Sequence, residues 1–180
     1  MSSLELALIL DSQDRPVEAA EAYRAAVEDG TADLETHINY AVLMFVCNDG
    51  GYAAHHHLSR TFMAKTWSGM FETLEAAQRR WGWRAEVEFW KRYFRFIILG
   101  ETLTYAYCKT LTQETSSFEP YLYLYAFTPE GHREYESEAR VLLSRVSSGS
   151  TARERYVRSV LESALRIDEV APPPDPVGDG

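Results

Sequence analysis

Ser3-Leu4-Glu5-Leu6-Ala7-Leu8-Ile9-Leu10-Asp11-Ser12-Gln13-Asp14-Arg15-Pro16-Val17-Glu18-Ala19-Ala20-Glu21-Ala22-Tyr23-Arg24-Ala25-Ala26-Val27-Glu28-Asp29 reads as two short helices joined by a tight turn. The first is strongly apolar, and Ser2 and Glu5 stand three apart as a capping box at its start. Asp11 to Pro16 is turn-rich, with Pro16 placed to open the second helix. There Ala19, Ala20, Tyr23, Ala26 and Val27 share one face, and Glu18, Glu21, Arg24 and Glu28 share the other. A connection this short returns the second helix antiparallel to the first.

Leu6, Ala7, Ala19, Tyr23 and Ala26 stand where a tetratricopeptide (TPR) repeat places its large, small, small, aromatic and small residues. The segment therefore resembles one TPR unit, a helix pair recurring about every 34 residues. One period on, Tyr40 and Ala41 replace Leu6 and Ala7, and Ala53 replaces Ala19, but His57 and Arg60 depart from the pattern. Turn-forming residues recur at Asp14, Asn48, Gly82, Ser116 and Ser150. The expected fold is all-α: antiparallel helix pairs stacked as a short TPR-like α-solenoid. The resemblance is clear over residues 3–50 and degenerate beyond. Residues 1–167 form about five helix pairs on this reading, and 168–180 form a disordered Pro/Gly-rich tail. An irregular all-α bundle with evenly spaced turns would show the same positions.

Helix starts elsewhere agree. Thr128-Pro129 reads as an N-cap with proline at the first helical position. Thr151 and Glu154 form a second capping box before an amphipathic run from Tyr156 to Leu165. Tyr121 to Phe127 has no period to read; its place in the rhythm makes it a short buried helix, and its β-prone composition leaves an edge strand open.

Composition and charge narrow the function. The chain of 180 residues is 46% hydrophobic and 25% charged, enough for a sizeable core. No apolar run approaches the roughly 18 residues of a membrane helix, and the N-terminus lacks the basic flank of a secretory signal. The expectation is a cytoplasmic protein that does not engage membranes. Net charge is −9, distributed unevenly. Residues 1–36 carry nine acids and two bases, whereas residues 37–111 carry six acids and nine bases. An acidic chain repels nucleic acid over most of its surface.

The chemistry-bearing residues are few. Cys47 and Cys108 stand alone among apolar neighbours and read as buried thiols. Phosphate-binding glycine motifs, H-E-x-x-H and G-x-S-x-G are all missing from the sequence. His55-His56-His57 reads as a partly solvated run near a helix start. Adjacent helical residues point about 100° apart, and the positions four before and four after hold no usual ligand. No metal, cofactor or enzymatic activity is expected.

Arg79-Arg80-Trp81-Gly82-Trp83-Arg84, running on to Phe89-Trp90-Lys91-Arg92-Tyr93-Phe94-Arg95-Phe96, interleaves cations with aromatics. That composition suits single-stranded nucleic acid. A helical wheel instead places Trp83, Val87, Trp90, Phe94 and Ile98 on one face and Phe89, Tyr93 and Phe96 on another, as in a buried central helix with cations at its edge.

In TPR-like folds the first helix of each pair lines a concave groove. The resemblance places Ile38, Asn39, Val42 and Phe45 there in the second pair, Thr73, Ala76 and Arg79 in the third, and Ala106, Tyr107, Thr110 and Gln113 in the fourth. The places where family members grip a C-terminal carboxylate hold Leu4, Leu8, Glu72 and Ala76, which argues against such a clamp. The implied function is a non-catalytic protein–protein interaction module that binds a partner peptide or helix in an apolar groove. Two alternatives stand beside it: an acidic inhibitor or immunity-type protein covering a basic toxin or nuclease, and single-stranded nucleic-acid binding through residues 79–95.

Overall fold

A computed structural model describes residues 1–115 and 117–170, and every regular element among them is helical. In chain order they are α1 (Ser3–Ser12), α2 (Pro16–Glu28), α3 (Leu34–Val46), α4 (Gly50–His55), α5 (Arg60–Trp81), α6 (Ala85–Leu99), α7 (Tyr105–Glu114), α8 (Pro120–Phe127), α9 (Pro129–Glu134), α10 (Glu136–Arg145) and α11 (Ala152–Val170). The all-α expectation holds, and Tyr121 to Phe127 is helix α8. No helix among the described residues is long and apolar enough to cross a membrane.

The caps read from the sequence are formed. Ser2 accepts from the Glu5 amide at 3.2 Å while Glu5 accepts from the Ser2 amide at 2.7 Å. Pro16 opens α2 and Pro129 opens α9. Thr151 and Glu154 exchange hydrogen bonds at 3.2 Å in both directions before α11. Breaks between helices fall at Asp14 and Gly82, where φ is +54° and +71°, and at Asn48 and Ser150. Ser116 lies outside the described residues, as does the tail from 171 to 180. The helical part ends later than expected, because α11 continues through Val170.

Packing is centred on α3, which lies against α2, α5, α6 and α11. α1 and α2 form a tight hairpin held by a small cluster of Ala7, Leu10, Ala19, Tyr23, Leu43 and Cys47. The main core gathers Ile38 and Val42 of α3, Met70 and Leu74 of α5, aromatics of α6, Leu122 and Leu124 of α8, and Val157 and Leu161 of α11. The last helix thus comes back to the third, over more than a hundred residues of chain.

The aromatic segment is core. Phe89, Trp90, Tyr93 and Phe94 are fully buried on α6, each removing a large apolar area from water. Trp83 departs from the expected face: Gly82 ends α5 and α6 begins at Ala85, so Trp83 sits in the turn and is exposed. The flanking cations are engaged locally. The Arg80 guanidinium lies 4.7 Å from the Trp81 ring and donates to the Ala32 carbonyl. Lys91 donates to Gln78 at 2.8 Å, and Arg92 covers Tyr107 at 4.0 Å.

Candidate docking cleft

The eleven residues assigned to a groove do not converge on one. Ile38, Asn39, Val42 and Phe45 are buried. Because α3 is the central helix, α6 and α11 cover the face that an open repeat would leave to a partner. Asn39 is held there by Arg153 of α11, which donates to its side-chain oxygen at 3.3 Å. Thr73 and Ala76, half-buried on α5, line a separate groove against α2 that also takes in Tyr40 and Met44. Arg79 is exposed at the end of α5. Ala106, Thr110 and Gln113 are exposed on α7, and Tyr107 is half-covered by Arg92.

A cavity of about 760 Å³ opens elsewhere. It lies where the end of α3 and the start of α4 meet α5, α6 and α11, with the α1–α2 turn at its edge. Its aromatic part is built on Phe45, which stacks on Phe94 with ring centroids 4.6 Å apart and meets the edge of Tyr156 at 5.3 Å. The Tyr156 and Tyr93 hydroxyls share a hydrogen bond of 2.8 Å. Burial pushes both phenols above their ordinary range, so both stay protonated. Val46 and Ile98 continue the apolar lining. Trp67 of α5 and Ile97 of α6 join it while remaining 45% and 41% exposed.

The polar part is pre-formed. Asp14 accepts from the Tyr52 hydroxyl at 2.7 Å and from Arg155 at 3.1 Å, and His56 Nε2 lies 3.2 Å from its other oxygen. Arg155 also donates to the Asp11 carboxylate at 3.0 Å. Asp49 caps α4 by accepting from the Tyr52 amide at 2.9 Å. Asn48 is tied to the Met44 carbonyl and the Thr66 hydroxyl.

The histidine run lies between two helices: His55 ends α4, His56 is its C-cap, His57 has φ +52°, and α5 begins at Arg60; His55 and His57 are exposed and His56 is half-buried. Burial pushes the Cys47 and Cys108 thiols up to about 12, so neither is a thiolate at neutral pH. Among the described residues no three His, Cys, Asp or Glu side chains come together to hold a metal ion. What the cleft offers is a shaped apolar surface with a charged edge, which suits recognition of a ligand.

Sequence reasoning missed Trp67, Ile97, Val46 and Tyr156 as one site. A local signal existed for two of them. The buried stripe of α5 is Thr66, Met70, Leu74 and Ala77, and Trp67 stands one position off it. Ile97 likewise follows Tyr93 and Phe94 without sharing their burial. Single exposed apolar side chains are common on protein surfaces, so neither position marks a site by itself.

Comparison of the chain with protein-family models, with curated proteins and with solved structures finds no match.

Proposed function

We propose that this chain is a non-catalytic, cytoplasmic interaction module of TPR-like helix pairs. It docks a partner protein by burying an apolar side chain in the cleft between α3, α5, α6 and α11. One observation carries the reading: Trp67 and Ile97, both large and roughly half exposed, line the same cavity over the aromatic lining of Phe45 and Tyr156. Tryptophan at the edge of a well-packed aromatic pocket is a common energetic centre of protein interfaces. Of the eleven groove residues that the TPR resemblance implies, only Phe45 lines this cleft.

Nucleic-acid binding through 79–95 is less favoured, because four of its aromatic rings are inside the core and cannot stack on bases.

The test uses Trp67→Ala and Ile97→Ser. A partner captured at high salt is purified and titrated against each variant. The expected result is a loss of at least about tenfold in affinity for each, as for truncation of a central anchor, with unchanged helicity and melting temperature. Full retention of affinity by both variants sinks the reading.

A further inference from the structure

We infer that the partner segment taken by this cleft is basic as well as apolar: an amphipathic helix with a large apolar side chain and a lysine or arginine about one turn away. The inference rests on the docking reading above and gives it a chemical class.

The first argument is charge. The charged groups lining the cleft are Asp14, Asp49 and Arg155. Arg155 is not available to an incoming anion, since Asp11 and Asp14 hold its guanidinium at 3.0 and 3.1 Å. The lining thus carries two carboxylates to one guanidinium, and that guanidinium is also matched from beneath by the buried Asp11. His56 adds positive charge only when protonated. Asp14 retains a side chain 42% exposed even with these partners. It also sits on the turn between α1 and α2, the pair that carries most of the excess of acids in residues 1–36. Asp14 thus brings one acid of the most acidic part of the chain to the cleft edge. At physiological salt its potential reaches about 8 Å, more than the pitch of one helical turn. A cation one turn from the buried anchor lies within its range.

The second argument is shape. Among the described residues no strand offers an unpaired edge, so a peptide cannot be held by β-augmentation. Helices α3, α5, α6 and α11 form the walls, and an incoming helix fits such a surface by projecting side chains at i, i+3 and i+4.

The test uses three synthetic amphipathic peptides, each about four helical turns long. They share one apolar stripe and carry lysine, glutamine or glutamate at the polar positions. Binding to the full chain is read by fluorescence anisotropy. The lysine peptide is expected to bind most tightly and the glutamate peptide least. Asp14→Asn and Asp49→Asn keep the left-handed residue and the helix cap, respectively. Each should weaken the lysine peptide roughly two- to fivefold more than it weakens the glutamine peptide, as loss of an exposed charge pair would. Trp67→Ala should weaken all three.

If the peptides bind alike and the aspartate variants do not discriminate among them, while Trp67→Ala still weakens binding, the basic partner is overturned and the docking cleft stands. If no peptide binds, or Trp67→Ala changes nothing, both fall. If sedimentation shows a dimer that Trp67→Ala dissociates and that peptide must displace, a second copy is the occupant and the inference is overturned.

Discussion

Asp11, in the last turn of α1, accepts a 2.8 Å hydrogen bond from the backbone amide of Ala152, the first residue of α11. A helix usually finds its cap in its own preceding residues; here the local Thr151–Glu154 box leaves the Ala152 amide over, and a side chain from the first helix takes it. The same carboxylate accepts from the Tyr23 hydroxyl at 2.9 Å and from Arg155 at 3.0 Å. Its side chain is fully buried. Asp11→Ala leaves the Ala152 amide, the Tyr23 hydroxyl and Arg155 each short of a partner in a desolvated place. The expected loss is about 2–4 kcal/mol, with Asp11→Asn losing less. Urea unfolding by circular dichroism reads both; an unchanged midpoint for Asp11→Ala would show that the closure is ornamental.

Two carboxylates beside the start of α11 respond to pH with opposite sign. Burial raises the Asp11 carboxyl above its ordinary 3.8, and Arg155, Tyr23 and Ala152 only partly offset it. Its native state therefore holds the proton to higher pH than the unfolded chain, and its contribution to stability grows as pH falls through that window. Glu154 is the reverse. Burial raises it, but hydrogen bonds from Ser150, Ser148 and Thr151 together bring it below its ordinary 4.5. Its contribution is complete above 4.5 and is lost as pH falls through the lowered native value. Unfolding midpoints from neutral to acid pH should show the gap between wild type and Glu154→Gln closing below about 4.5. The gap between wild type and Asp11→Asn should shift in favour of wild type over the acid range.

Arg153 holds the other side of α11. Its guanidinium bridges Glu119 and Glu35 and reaches Asn39, with side chains of Arg153 and Glu119 only 13% and 11% exposed. A buried pair of this kind is costly to break and cheap to replace whole. Arg153→Ala strands Glu119 and should lose about 3–5 kcal/mol. Arg153→Met with Glu119→Gln removes both charges and keeps volume, so the double variant should be more stable than Arg153→Ala alone. Thermal melting ranks the two. The opposite order would mean that the charges themselves, and not the avoidance of a stranded one, hold α11 in place.

These same contacts mark where the sequence stops being legible. Helix starts at Ser2, Pro16, Pro129 and Thr151 could be read because a cap is local: the residues that make it lie within four positions of one another. The buried faces of α2 and α6 could be read because helical periodicity says which residues turn inward. Periodicity does not say what they turn toward. Helical spacing puts Ile38, Asn39, Val42 and Phe45 on one side of α3, and all four are buried. That α11 covers them depends on Asp11, Arg153 and Arg155 finding partners more than thirty residues away, and no local pattern encodes that. The cleft is illegible for the same reason, since its lining comes from five helices and two turns.

Glycine substitutions separate a rigid approach from a soft one. A Cβ on Gly131 would lie 2.3 Å from the Leu124 carbonyl oxygen and 2.6 Å from Thr128 Oγ1. Both are fixed: Leu124 is fully buried, and the Thr128 hydroxyl donates to that carbonyl at 2.7 Å while accepting the Gly131 amide at 3.1 Å. This knot joins α8 to α9, so the added methyl must move backbone, and Gly131→Ala should lose about 1–3 kcal/mol or more. On Gly69, in the middle of α5, a Cβ would lie 2.8 Å from Met44 Sδ. A thioether at the end of a flexible side chain can turn aside, and alanine is favoured over glycine inside a helix by about 1 kcal/mol. Gly69→Ala should therefore stay within about 1 kcal/mol of wild type. Chemical denaturation of the two variants decides it. If Gly69→Ala proves the more damaging, Met44 is held as firmly as backbone, and the groove between α2 and α5 is part of the rigid core.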